Sequence, residues 1–153
     1  MTTATLVSIN TSKGGVPKLP LPSCAVTAKG LAGDRQRDLE YHGGPDRAVC
    51  LYSQDLIESL RAEGHPIGAG TIGENLTVAG VSWGEMVPGA KFDIGEVRVE
   101  LTDYAAPCNN IAASFRDRRS GRVSQKAHPG WSRLYARVLK EGTVRVGDSV
   151  SRC

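Results

Sequence analysis

Val97-Arg98-Val99-Glu100-Leu101-Thr102-Asp103-Tyr104-Ala105-Ala106-Pro107-Cys108-Asn109-Asn110-Ile111 carries an architectural signal and a chemical one. Apolar side chains at 97, 99 and 101 alternate with Arg98 and Glu100, the period-two pattern of a strand with one face buried. The run ends in a polar, proline-broken turn, and Cys108 sits there. Loops that follow strand ends are where a rigid scaffold presents chemistry. Asn109 or Asn110 is placed to cap a short helix running through Ile111 and Phe115. A thiol at a helix N-terminus has its thiolate favoured by the backbone dipoles, which suits a nucleophile or a metal ligand. Cys108 equally fits a small buried hydrophobe, since free cysteine is among the most buried residues. The segment alone leaves both readings open.

Working outward, Thr5–Ile9, Cys24–Thr27, Ala48–Tyr52, Asn75–Val78 and Val81–Trp83 read as further short strands. The clearest helix starts at Ser53 as N-cap, with Asp55 in its first turn, Leu56, Ile57 and Leu60 at helical spacing, and Gly64 as its stop. Trp131–Lys140 is ambiguous: Leu134, Tyr135, Val138 and Leu139 fit a helix stripe or a strand buried on both faces. Thr143–Val146 and Ser149–Val150 around Gly147-Asp148 read as a hairpin. Glycine occurs 18 times and proline 8 times. Many short strands between Gly/Pro turns, with one good helix, predict a mainly β chain built as a closed or nearly closed β-barrel with a few short helices.

With 153 residues the chain is read as one domain over 1–153, long enough for a substantial core. A net charge of +3 is too mild to indicate nucleic acid as a partner. The four cysteines, Cys24, Cys50, Cys108 and Cys153, form no CxxC pair, so a zinc site is not expected. Cys50 lies in an apolar run and reads as core. No signal peptide and no span long and apolar enough for a bilayer is evident, so no membrane association is expected and a cytoplasmic location is the default.

The polar stretch Gly30–Arg47 is dense in chemistry. Gly33 and Gly43-Gly44 permit close backbone approach to a ligand. Arg35, Arg37 and Arg47 offer fork-shaped donors for phosphate or carboxylate, with Asp34 and Asp46 to hold them. His42 is placed to donate to an anion or contact a ring. As a group these residues read as an anion-binding loop, although each alone also fits a solvated loop with internal ion pairs. No GxGxxG or GxxxxGK[ST] is present. Lys13 and Lys18 would add positive charge. Asn75 is suited to reading a heterocycle edge or to satisfying turn backbone. Arg116, Arg118, Arg119, Arg122 and Lys126 form a basic cluster without interleaved aromatic residues, which argues against single-stranded nucleic acid. His128 is a candidate base for Cys108 or a structural residue of a turn.

Several of these segments, in order and spacing, resemble the MOSC family, named for the C-terminal domain of molybdenum-cofactor sulfurase. They are Gly14–Lys18, Gly33-Asp34-Arg35, His42–Val49, Gly73-Glu74-Asn75-Leu76, Pro107-Cys108, Tyr135–Leu139, Gly142 and Gly147-Asp148. The resemblance is to the short, stand-alone members, similar to the bacterial hydroxylaminopurine-reducing proteins. The resemblance implies a compact barrel and a strand after Trp131. It implies that Cys108 is the catalytic residue and the metal ligand of a molybdopterin-type molybdenum cofactor. Lys18, Gly33, Asp34, Arg35, His42, Gly43, Gly44, Arg47, Asn75 and Asn109 are then the candidate cofactor-binding residues. Neither zinc nor pyridoxal phosphate is implied. The expected activity is reduction of a small N-hydroxylated compound, with electrons from a separate redox protein, in a monomer or homodimer. Some members carry an arginine just before the Pro-Cys pair, where this chain has Tyr104-Ala105-Ala106. The alternative role for Cys108 is a non-redox sulfur carrier or docking site. A metal-free Cys-His hydrolase or transferase stands third, with His42, His65 and His128 as its available bases.

Overall fold

The computed structural model describes residues 4–34 and 45–153. Among them the chain forms β1 (Thr5–Thr11), β2 (Leu19–Leu21), β3 (Ser23–Thr27), β4 (Gly30–Leu31), β5 (Val49–Ser53), α1 (Gln54–Ala62), β6 (Leu76–Ala79), β7 (Lys91–Ile94), β8 (Val97–Tyr104), β9 (Leu134–Lys140), β10 (Gly142–Arg145) and β11 (Val150–Arg152). The mainly β reading stands. An eight-stranded sheet runs β11-β7-β8-β9-β5-β6-β1-β2, and a three-stranded sheet runs β10-β3-β4.

The expected closed barrel is not found among the described residues. β11 and β2 stand at opposite ends of the large sheet. The last strands explain this. β10 leaves to pair with β3 in the small sheet, and β11 pairs with β7 alone. Only an isolated Thr5–Ser149 bridge approaches closure. It is flanked by Leu6 N–H donating to Asp148 O (2.8 Å), Gly147 N–H to Leu6 O (2.8 Å) and Val150 N–H to Ala4 O (3.0 Å). β10 and β11 therefore do not form the expected hairpin, although Gly147-Asp148 does turn between them. Val81–Trp83 is not a strand either: Trp83–Glu85 is a 3-10 turn, and Trp83 Nε1 donates to Ser132 O at 2.7 Å.

Local signals account for α1. Ser53 Oγ accepts from Leu56 N–H at 3.1 Å, Asp55 lies in the first turn, and Gly64 follows at φ 99°. Its buried face, Ile57 and Leu60, joins Leu6, Ile9, Leu51, Tyr52, Leu76, Ile94 and Phe115 in the core. α1 is the crossover that lets β5 and β6 pair in parallel, with Leu51 opposite Leu76. Trp131–Lys140 resolves as a strand over Leu134–Lys140, because β8 and β5 flank it on both sides. The registers Tyr104–Leu134, Leu51–Leu134, Leu51–Leu76 and Ile9–Leu76 set the end of β8, the starts of β9 and β6, Leu51 of β5 and Ile9 of β1 at one level across the sheet.

Candidate functional site

Cys108 follows the end of β8. β8 stops at Tyr104, and Cys108 is half-buried in extended backbone (φ −139°, ψ 176°). It occupies the N-cap position itself, where an asparagine was expected. The helix that follows is 3-10, Asn109–Ser114, and it ends before Phe115. Ile111 and Ala112 anchor it in the core, while Asn109 faces solvent. Among the described residues nothing hydrogen-bonds the Cys108 thiol. Cys24 and Cys50 are buried, Cys153 is exposed, and all four thiols are free.

Three of the expected residues meet directly. Lys18 Nζ lies 2.6 and 2.8 Å from the two oxygens of Asp34. Asn75 Nδ2 donates to Asp34 Oδ2 at 2.9 Å and to Asn10 O at 3.3 Å. Asn75 Oδ1 accepts from Cys50 N–H at 3.0 Å, and Ser12 N–H donates to Asp34 Oδ1 at 2.9 Å. Gly33, at φ 80°, makes the turn that presents Asp34. The Lys18 charge is thus met by Asp34 within the chain, and both amide protons of Asn75 are engaged there. Asp34 holds Lys18; Arg35 and Arg37, which it was expected to hold, lie outside the described residues. Asp46 lies 3.4 Å from Arg137 at the surface.

A second group sits beside the first. Cys50, Ala105 and Tyr135 form a small buried cluster. The Arg47 guanidinium carbon lies 5.2 Å from the centre of the Tyr135 ring. Burial pushes the Cys50 thiol up to about 11 and the Tyr135 hydroxyl upward. Below lies a buried polar layer. Asn10 Nδ2 donates to Glu74 O (3.2 Å) and Thr77 Oγ1 (3.1 Å), and Thr77 Oγ1 donates to Glu74 Oε2 (2.9 Å). Burial raises the Glu74 carboxyl to about 6, against the pull of hydrogen bonds and of Arg133. Arg35, His42, Gly43 and Gly44 lie outside the described residues, as does Arg37.

Arg133 is the residue that sequence reasoning missed. It precedes β9, is buried, and donates from Nη1 to Ile72 O (2.7 Å) and from Nη2 to Ala106 O (3.2 Å). The only signal was an arginine entering the apolar run Leu134–Ala136, which also describes a surface cation at a strand start. The basic cluster is partly structural: Arg122 makes a two-pronged bond to Glu63 (3.0 and 2.8 Å) and stacks 4.0 Å above Trp131. His65 is occupied as well. Its Nδ1 accepts from Arg116 N–H at 3.2 Å, and its Nε2 faces Glu63 at 3.5 Å. His128 is exposed and makes no hydrogen bond to Cys108. Among the described residues neither His65 nor His128 hydrogen-bonds the thiol, and His42, the third candidate base, lies outside them.

Comparison with known proteins agrees with this architecture. The model of the MOSC domain matches residues 38–151. Uncharacterized protein YflK of Bacillus subtilis (strain 168) is 33% identical over 140 residues, 89% of this chain and 62% of that protein. A protein named Reductase from Gibberella moniliformis is 31% identical over 131 residues, 82% of this chain and 23% of that one. The chain thus spans less than two thirds of the length of these curated relatives. In fold it is similar to YiiM from Geobacillus stearothermophilus (TM-score 0.74, 24% identity, 98% of this chain and 75% of that chain). It is also similar to the YUAD protein from Bacillus subtilis (TM-score 0.79, 16% identity, 97% and 94%). With a family match over most of its length and a one-third-identical relative over nearly all of it, the chain belongs to the MOSC domain family.

Proposed function

We propose that this MOSC domain binds a molybdopterin-type molybdenum cofactor through Cys108 and reduces small N-hydroxylated compounds. One observation carries the reading: Cys108 presents a half-buried thiol, with no hydrogen-bond partner among the described residues, just after a backbone stretch that Arg133 holds. Among the described residues no group of three or more His, Cys, Asp and Glu side chains is placed to hold an ion. A lone thiolate suits a soft-ligand metal that brings its other sulfur ligands with it, so the donor set fits the group. The likeness to a protein named Reductase supports the redox side of the reading.

Cys108 would supply the protein sulfur. Arg47, at the rim beside Tyr135, is the candidate for the cofactor's anionic tail, with Arg35 and the Gly43-Gly44 backbone. Lys18, Asp34 and Asn75 act through one another, holding the ends of β1, β5 and β6 in place beneath. When bound, the cofactor would supply two-electron oxygen-atom chemistry. The overall change is R–NH–OH plus two electrons and two protons giving R–NH2 and water. A separate redox protein supplies the electrons, and the medium supplies the protons.

The test is Cys108→Ala in protein made in a cofactor-competent host. Molybdenum and pterin per chain, and turnover of an N-hydroxylated purine with a reduced dye as donor, are all expected to fall at least tenfold. Retention of metal and turnover together would reject the ligand assignment. If Cys108 instead acquires the mass of one added sulfur, and no donor supports turnover, the sulfur-carrier reading takes its place.

A further inference from the structure

We infer that Arg133 is a positioning residue for Cys108: it fixes the Ala105-Ala106 backbone that leads to the thiol and holds a positive charge beside that turn. The inference rests on reading Cys108 as the functional sulfur.

The geometry is specific. Ala105 N–H donates to Arg133 O at 2.9 Å, and Arg133 Nη2 donates to Ala106 O at 3.2 Å. Ser132 Oγ donates to Arg133 O at 2.8 Å, with Ala105 O a longer contact at 3.3 Å. The two residues before Pro107-Cys108 are therefore held through the Ala105 amide and the Ala106 carbonyl. At its other prong, Nη1 reaches Ile72 O at 2.7 Å, two residues before Glu74 and three before Asn75. One rigid fork joins the Cys108 turn to the loop that leads into the Lys18–Asp34–Asn75 layer.

The charge is not needed for those hydrogen bonds. Two carbonyls can be satisfied by a neutral amide, and burying a guanidinium is expensive. Arg133 is only 5% exposed, and its Nε has no hydrogen-bond partner among the described residues. Glu74 is a buried carboxylate whose ionised form the Arg133 charge favours. What the cation adds is field. It favours the ionised forms of Cys50 and Tyr135 against their burial, and Tyr135 in turn senses Cys108 and Arg47. A positive charge one hydrogen bond from Ala106, two residues before Cys108, attracts an anionic ligand to that turn.

The experiment uses metal-free full-length chain with Cys153→Ser to remove the exposed thiol. Alkylation of Cys108 by anionic iodoacetate and by neutral iodoacetamide is followed by mass spectrometry. The ratio of the two rates reads the local potential, which a change of packing alone leaves unmoved. Arg133→Met is expected to lower that ratio at least threefold, the size expected of one unit charge several ångströms away in a partly hydrated site. Arg133→Lys is expected to keep it within about twofold while changing both absolute rates, because one ammonium cannot span both carbonyls. An unchanged ratio in Arg133→Met, or an equal loss in the lysine variant, overturns the inference. Should Arg133→Met not fold, Arg133→Gln is read the same way. If neither folds, the ratio in the unsubstituted chain decides, and a value no higher than that of N-acetylcysteine overturns the inference. None of these rates depends on molybdenum, so loss of the cofactor reading through Cys108→Ala would be seen separately.

Discussion

Asn75 Nδ2 donates to Asp34 Oδ2 at 2.9 Å across 41 residues of sequence. The same amide group holds the Asn10 carbonyl, and its oxygen holds Cys50 N–H, so one side chain joins β1, β5 and the turn after β4. Asp34 passes that restraint on to Lys18 through a contact with side chains only 4% and 6% exposed.

This pair predicts a strong single-mutant effect. Asp34→Asn leaves the Lys18 ammonium buried without its counter-charge and is expected to cost about 3–5 kcal/mol. Adding Lys18→Met removes the orphaned charge and should recover at least half of that. Urea denaturation of both chains checks this. An Asp34→Asn midpoint equal to that of the parent would contradict the buried-pair account.

Glu74 predicts a pH dependence. Burial raises its carboxyl from an ordinary 4.5 to about 6. A raised carboxyl binds its proton more tightly in the folded chain. Its contribution to stability is complete below about pH 4.5 and is lost as pH rises through 6. The span corresponds to about 2 kcal/mol. Glu74→Gln keeps an acceptor for Thr77 and carries no charge, so it should gain that amount on the parent between pH 4.5 and 7. Glu63, Asp93, Glu96 and Asp117 are shifted downward and are shared by both chains, so they cancel in the difference. Denaturation curves at the two pH values read the result, and a pH-independent difference would show that Glu74 does not titrate in this range.

Gly33 and Gly70 make a matched pair. Both sit at φ 80°. A Cβ on Gly33 meets nothing within 4 Å among the described residues, whereas one on Gly70 would overlap the Lys18 carbonyl. Gly33→Ala should cost only the backbone term, about 1–2 kcal/mol. Gly70→Ala should cost clearly more and should shift Lys18. Thermal melts of the two variants compare them directly, and equal losses would mean that Lys18 yields freely.

Ser53→Ala removes the oxygen that accepts from Leu56 N–H. A loss of about 1 kcal/mol is expected, with faster amide exchange confined to the first turn of α1. Protection unchanged at Leu56 would argue that the cap contributes little here.

What could be read from the sequence was what local chemistry settles. α1 was legible because cap, stripe and stop lie within twelve residues. β8 was legible because its alternation is strict, and β5 because its run is apolar throughout. Leu134–Lys140 was not decided locally, since its residues serve either a helix stripe or a strand flanked on both sides, and β5 and β8 make the choice. Trp83 looked like a strand residue, but its indole is claimed by Ser132 from far along the chain. Gly147-Asp148 was read correctly as a turn, with Arg145 N–H donating to Asp148 Oδ2 at 2.7 Å, yet the strands on either side find separate partners. The open sheet follows from that divergence, and no local pattern announces it. The placement of Cys108 just past the end of β8 was legible from the proline-broken strand end. Arg133 was not, because only the fold shows that an arginine at a strand start points inward.

The parting of β10 and β11 also constrains synthesis. Residues 142–152 complete both sheets, one strand each, so neither hydrogen-bonded array is finished on a ribosome until that stretch has cleared the exit tunnel. Until then the β3 and β7 edges stay unpaired and sticky, and a nascent chain stalled just short of residue 142 should be a better chaperone client than the finished protein.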